Sequence, residues 1–314
     1  MCPDEIFHEG ELEIQKRAGV AAVAARVGQA NLVESLPPGF ADFLSERFFV
    51  VVGSADPDGQ VWASLLIGPP GFIHTVDSRH LALSTGPLSG DPLRRSLDAG
   101  PTTLGLLAID AAARSRIRIN GVASRAPEGG LVIEVSEVFG NCPKYIQRRA
   151  PVSLIAEGEV GHARIRAARL DGPQSRLVTA ADTFFIASRH PHRGADASHR
   201  GGRPGFVRVE PDGRTLSFPD YPGNSMFQTL GNLQVDGRAG LLFIDWEGGD
   251  TLQLSGRGVV VWDADTVAVW PGAQRVVQFT IEAVEQHQRA LPLHWELIER
   301  HRLNPPVPGE PEAN

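Results

Sequence analysis

Ala63-Ser-Leu-Leu-Ile-Gly-Pro-Pro-Gly-Phe72 returns in worn form as Ala197-Ser-His-Arg-Gly-Gly-Arg-Pro-Gly-Phe206, 134 residues further along the chain. The offset persists outside this stretch. Val51-Val-Gly-Ser54 meets Phe185-Ile-Ala-Ser188 at 134, and Leu104-Gly-Leu-Leu-Ala-Ile-Asp110 meets Ala239-Gly-Leu-Leu-Phe-Ile-Asp245 at 135. A chain of 314 residues, 42% hydrophobic and 21% charged, is long enough for two domains with full cores. The repeat says independently that there are two. The copies differ in chemistry: Leu65, Leu66 and Ile67 of the first stand where the second has His199, Arg200 and Gly201.

The net charge of −7 offers no overall basic field for nucleic acid or an anionic membrane surface. Expected partners are a small molecule or a second copy of the chain. The only cysteines are Cys2 and Cys142, which support neither a disulfide framework nor a multi-cysteine metal site. The longest early apolar run, Val20 to Ala25, is too short for a signal peptide or a membrane span. A soluble, cytoplasmic protein is the expectation. Lysine occurs only at Lys16 and Lys144, which singles out Lys144.

The pattern divides the chain into an N-terminal helical extension (1–40), a first domain (41–150), a connecting segment (151–180), a second domain (181–300) and a mobile tail (301–314). Leu12, Ala18, Ala21, Val23, Ala24 and Val27 predict one amphipathic helix over 9–30. From Phe48 onward short strands alternate with turns such as Ala55-Asp-Pro-Asp-Gly59, interrupted by one helix over 91–97. The second half repeats that order, with its helix over 224–233. Many short strands closing on one another give a mainly β fold with flanking helices (α+β), each half a small barrel.

Three segments carry chemistry. Asp196-Ala-Ser-His-Arg-Gly-Gly-Arg-Pro-Gly-Phe206 sets Ser198, His199, Arg200, Gly201, Gly202 and Arg203 close together. Read as a loop, it can surround a phosphate, because glycines admit the backbone and arginine offers forked, charge-assisted hydrogen bonds. Phe218-Pro-Asp-Tyr-Pro-Gly-Asn-Ser-Met226 puts Asn224 and Ser225 at the expected start of a helix, with Asn224 as N-cap and free N–H groups behind it. The first copy has Asp91-Pro92 there, a repelling charge and a missing donor. The third segment, Phe139-Gly-Asn-Cys-Pro-Lys-Tyr-Ile-Gln147, belongs to the first half alone and brings Asn141, Cys142, Lys144 and Tyr145.

Together with Phe7-His-Glu-Gly-Glu11 and Trp62-Ala-Ser-Leu-Leu-Ile-Gly-Pro-Pro-Gly-Phe72, these segments resemble the pyridoxamine 5′-phosphate oxidase-like flavin-binding split-barrel proteins over most of the chain. In single-domain relatives two protomers pair about a two-fold axis, with FMN in the clefts between barrels. The resemblance implies that this chain folds that dimer into one polypeptide, as two tandem six-stranded split barrels in a pseudo-dimer. Ser198, Arg200, Gly201, Gly202 and Asn224 would hold the FMN phosphate, with Asn141, Cys142, Lys144 and Tyr145 reaching across. Lys144 or Arg257 would face the far end of the flavin ring. One of the two ancestral sites would survive.

The implied activity is an FMN-dependent oxidoreductase taking hydride from a reduced nicotinamide or a small substrate, with an electron-transfer partner and a homodimer both open. No catalytic acid, base or nucleophile stands out, so a non-catalytic flavin carrier or interaction module is the alternative. His190-Pro-His192 with Asp196 and His199 is the densest imidazole cluster and raises a haem-binding split barrel. The proline splays the first two histidines and no tight helical His pair is present, so no metal site is assigned.

Overall fold

A computed structural model describes residues 6–154 and 164–309. The N-terminal extension is two helices, α1 (Glu9–Arg17) and α2 (Ala21–Asn31), rather than one. Gly19, at φ +71°, takes a left-handed conformation that an uninterrupted helix does not allow. His8 caps α1, accepting from the Gly10 N–H, while the Glu11 carboxylate accepts from the His8 N–H to complete a capping box. A third short helix, α3 (Phe40–Ser45), leads into the first sheet.

That sheet comprises β1 (Phe49–Ala55), β2 (Val61–Ile67), β3 (Ile73–Asp77), β4 (His80–Leu83), β5 (Thr102–Asp110), β6 (Ser115–Arg125) and β7 (Leu131–Gly140), with α4 (Pro92–Asp98) between β4 and β5. Its strand order is β2-β1-β5-β6-β7-β4-β3. After it, β8 (Arg148–Leu154), β9 (Arg164–Ala167) and α5 (Gly172–Ala180) lead into the second half. There β10 (Thr183–His190), β11 (Gly194–Gly201), β12 (Arg208–Val209), β13 (Thr215–Asp220), β14 (Arg238–Ile244), β15 (Thr251–Val261) and β16 (Arg275–His287) run in the order β11-β10-β14-β15-β16-β13-β12. The helix α6 (Gln228–Val235) takes the place of α4, and α7 (Ala264–Ala268) follows β15. The last strand, β17 (Leu293–Glu299), pairs with β8.

Topology therefore repeats strand for strand, as two open sheets of split-barrel form. Each main path has seven strands rather than the expected six, because short β3 and β12 add to the edge beside β4 and β13. Two equivalent strands even share an irregularity. Register slips between Asn120 and Gly121 on β6 and between Ser255 and Gly256 on β15, at glycines whose Cβ would strike the neighbouring strand's carbonyl. Such bulges bend a strand and tighten its twist, which curls an open sheet toward a barrel.

Each barrel encloses its own apolar core, and a third apolar cluster lies between them. In that third cluster Phe49, Val51 and Leu65 of the first half meet Phe185, Ala187 and Leu242 of the second. The N-terminal extension joins the far barrel, not its sequence neighbour: Ile14 of α1 enters the second core, and Gly10 and Gly231 let α1 and α6 approach closely.

Two segments outside the main sheets also take up structure. The described part of the tail is anchored at two points: Asn304 Nδ2 donates to Gln147 Oε1 and to the Gly202 carbonyl, and Val307 packs against the second core. Residues 310–314 lie outside the described residues. The connecting segment is partly regular, with β9 on β16 and α5 opened by an Asp171–Gln174 capping box. Cys2 and residues 155–163 also lie outside the described residues. Among those described, no helix is long and apolar enough to cross a membrane.

Candidate functional site

Asp196-Ala-Ser-His-Arg-Gly201 is not a loop but strand β11, the counterpart of β2. Strand alternation puts Asp196, Ser198 and Arg200 on one face. Across from that face, β6 of the first half presents Arg116, Arg118 and Asn120, also at alternate positions. Arg118 pairs with Asp196, and Arg200 Nη1 donates to Asp220 Oδ1 at 3.0 Å. Arg116 donates only to carbonyls, to Cys142 O at 2.8 Å and His199 O at 3.4 Å, and has no carboxylate partner among the described residues. Two of the three guanidiniums are thus neutralised and one is not.

Between these strands lies a recess of about 80 Å³, walled by Arg116, Arg118, Ser198, His199, Arg200, Asn141, Cys142, Asn224, Ser225 and the first residues of α6. Both halves of the chain contribute to it. Thr229 Oγ1 donates to Ser198 Oγ at 3.1 Å, tying the start of α6 to β11. Asn224 Nδ2 donates to Asn141 Oδ1 at 2.8 Å, joining the two halves at the rim. An adjoining cleft of about 580 Å³ shares Arg116, Asn141, Cys142 and Asn224 and adds the apolar side chains of Phe40, Phe43 and Ile117.

The wall of this recess concentrates unsatisfied polar atoms. Arg116 Nε, Arg118 Nε, Arg200 Nε, Asn141 Nδ2, Gln228 Nε2 and both ring nitrogens of His199 are buried without a partner among the described residues. Buried polar groups are ordinarily paired, so a cluster of orphaned donors marks a place that favours an acceptor. Burial, with Arg200 and Arg118 adding like charge, depresses the Arg116 pKa. Burial and the guanidiniums of Arg116 and Arg200 push His199 well below its usual range, which keeps the imidazole neutral.

Asn224 is not the cap of α6. That helix begins at Gln228 after two left-handed residues, Ser225 (φ 64°) and Phe227 (φ 65°), and Phe227 provides no side-chain cap. Asn224 instead accepts from the Met226 N–H through Oδ1, at 3.1 Å, and faces Asn141.

Several expected residues lie outside the recess. Gly201 is glycine because a Cβ would collide with the Tyr145 carbonyl, and Gly202 donates to Asp182 O while packing on Phe206. Tyr145 OH donates to Pro222 O at 3.2 Å, and its ring sits 5.4 Å from that of Tyr221. Lys144 and Arg203 are partly buried and do not line the recess. Arg257 is exposed on β15 and pairs with Glu282, and neither it nor Lys144 lines the recess or the adjoining cleft.

Arg116, Arg118, Gln228 and Thr229 were missed. The repeat held the signal: Arg116-Ile-Arg-Ile-Asn120 aligns at 135 with Thr251-Leu-Gln-Leu-Ser255, so both arginines exist in one copy only.

The equivalent place in the other half is closed. Asp91 there caps α4, accepting from Leu93 N at 2.8 Å, Ser64 Oγ at 2.6 Å and Gln253 Nε2 at 3.1 Å. Gln253 is the counterpart of Arg118 and Ser64 that of Ser198, so a buried carboxylate meets the donors at this position. Burial raises the Asp91 pKa to about 6 against the pull of those hydrogen bonds.

The imidazole cluster is divided. His199 belongs to the recess, whereas His190, the last residue of β10, sits 4.3 Å ring to ring from His8 and pairs with Glu9. His8, Glu9 and His190 offer ligand atoms within 4.8 Å of one another. Their nitrogens already bond to Gly10 N, Asn232, His192 N and Glu9, an arrangement that fastens α1 to β10.

A family model described as pyridoxamine 5′-phosphate oxidase matches residues 36–159 and matches again at 174–300. No curated protein matches the chain. Among solved structures, a candidate pyridoxamine 5′-phosphate oxidase from Lactobacillus delbrueckii is 16% identical over 37% of this chain and 93% of its own, with a TM-score of 0.31. A FAD-binding protein from Mesorhizobium loti is 12% identical over 40% of this chain and 97% of its own, with a TM-score of 0.27. A FAD-binding protein from Mycobacterium smegmatis is 12% identical over 39% of this chain and 99% of its own, with a TM-score of 0.28.

Proposed function

Because the chain belongs to the pyridoxamine 5′-phosphate oxidase family, we propose that it is a flavoprotein holding one FMN in the composite recess, and that it serves as an oxidoreductase. The observation that carries this reading is the convergence of orphaned buried donors on one small cavity beside a larger, partly apolar cleft. These residues fit a phosphate monoester and a flat ring system. The flavin, when bound, supplies the hydride- and electron-accepting ring.

In this assignment Arg116 and Arg200 grip the phosphate with charge-assisted hydrogen bonds. Arg116, lacking a carboxylate of its own, supplies the net positive charge. Ser198 and Thr229 add hydroxyls, and the start of α6 adds backbone N–H groups whose dipole favours an anion. Phe40, Phe43 and Ile117 would exclude water from one side of the neighbouring cleft. The neutral His199 offers a hydrogen bond without a competing charge. The expected reductant is a reduced nicotinamide or another small hydride donor.

The test is the purified full chain, loaded with FMN and freed of excess. The expected result is a flavin spectrum at one FMN per chain that bleaches on addition of a reduced nicotinamide under anaerobic conditions. A yellow protein that never bleaches with any such donor identifies a carrier. A protein that retains no flavin refutes the assignment, and a Soret band after exposure to haem in its place supports the haem alternative.

A further inference from the structure

A second chamber, of about 690 Å³, lies on the other side of the Arg118–Asp196 pair and shares Gln228 with the recess. It is bounded by the N-terminal extension, by β5, β6 and β7 of the first half, and by β10, β11 and α6 of the second. Its wall is richer in carboxyl groups than that of the recess. Glu11, Glu34, Glu137 and Asp196 stand there with one arginine, Arg193, which donates to the Ile6 carbonyl, and with His8, His190 and His192. Asp196 already serves Arg118, Asn120 and Asn232, and Glu34 is within reach of Arg79. Among the described residues, neither Glu11 nor Glu137 has an arginine or lysine at ion-pair distance.

A second observation is independent of the carboxylates' charge. Asn120 is 8% exposed and lines this chamber. Its Nδ2 donates to Glu137 Oε2 at 2.8 Å and to Asp196 Oδ1 at 2.9 Å, which fixes the orientation of the amide. The Oδ1 that remains is buried and has no partner among the described residues. An orphaned acceptor next to an unpaired carboxylate calls for a ligand that donates hydrogen bonds and carries positive charge. Phe7 and Leu104, both almost fully buried, give the same chamber an apolar surface.

We infer that this chamber is a binding site for a small organic cation, an amine or amidine on an apolar body, with Glu137 as its counter-ion and Asn120 Oδ1 as its second acceptor. Burial and the nearby Asp196 raise Glu137 to about 7. A bound cation favours its ionised form. The inference does not depend on the flavin assignment, since the two cavities are separated by the Arg118–Asp196 pair and only Gln228 lines both. It does give the flavin protein a ligand class to be tested beside the cofactor.

The test is isothermal titration of the full chain, with and without FMN, using benzamidine as the cation and benzamide as its neutral isostere. The expected result is one benzamidine per chain in both forms, with benzamide weaker by about tenfold or more. Glu137→Gln should weaken benzamidine by a similar factor while leaving FMN content and the melting temperature in place. Equal binding of benzamide and benzamidine overturns the inference, as does unchanged benzamidine affinity in a folded Glu137→Gln protein. Benzamidine binding in a chain that retains no FMN would refute the flavin assignment and leave this one standing.

Discussion

Gly105 and Gly240, 135 residues apart, face each other's halves across the pseudo-two-fold: a Cβ on Gly105 would lie 2.6 Å from the Ala195 carbonyl oxygen, and one on Gly240 would lie 2.6 Å from Trp62 Cα. Both obstacles are backbone, which no rotamer change can move. Gly105→Ala and Gly240→Ala should therefore each cost about 1–3 kcal/mol in urea denaturation. Gly86→Ala, where a new Cβ meets nothing within 4 Å, is the control and should stay within about 0.5 kcal/mol. Equal effects at all three positions would remove close approach as the reason for these glycines.

Asp91 sets up a pH dependence with a definite sign. Its folded pKa of about 6 stands above the 3.8 of an exposed aspartate, so the folded state holds the proton longer than the unfolded one. The resulting stability is fully present below about pH 3.8 and is lost as pH rises through about 6, by no more than about 3 kcal/mol. Asp91→Asn keeps the N-cap and cannot ionise. Relative to wild type it should gain stability between pH 4 and 7, read as a rising difference in melting temperature. A constant difference across that range would contradict the assignment.

Arg116 and Asp91 occupy opposite members of the duplicated site, and their substitutions should separate cleanly. Arg116→Met is expected to weaken FMN binding by about tenfold or more, the value of a charge-assisted hydrogen bond in a buried place. Asp91→Asn should leave FMN affinity unchanged. Fluorescence titration of the flavin reads both, and equal losses from the two would mean that two sites are alive.

Arg149 donates through Nη2 to both carboxylate oxygens of Asp182, each at 2.7 Å, and both side chains are buried. The bond ties β8 to the turn that opens β10. Asp182→Asn leaves a buried guanidinium without its counter-charge, a defect that costs about 3–5 kcal/mol. Chemical denaturation should show that loss, and a change below about 1 kcal/mol would mean that water compensates the arginine.

The fold was legible because its information is local and repeated. Period-two alternation and turn residues marked the strands of the two main sheets apart from β11, and the offset of 134 to 135 residues then aligned the halves. What escaped was non-local or conformational. The β8–β17 pair joins segments more than a hundred residues apart and carries no short-range signal. The start of α6 depends on left-handed Ser225 and Phe227, which side-chain propensities do not announce. In the site, Ser198, Arg200 and Asn141 could be read from contrast between copies. Arg116 and Arg118 could have been read in the same way, but a strand identified by Ile117 and Ile119 drew attention to its apolar face.

Two identical subunits cannot change one of their sites without changing both, since every codon is expressed twice. In this chain Ser64 and Ser198 are inherited separately, and so are Asp91 and the start of α6. One cavity could close around its own carboxylate while the other stayed open. The apolar cluster that unites the barrels is held within a single polypeptide, so dilution cannot separate the two halves that wall the recess as it would separate the subunits of a dimer. Carrying both halves on one chain leaves the fold free to be unequal.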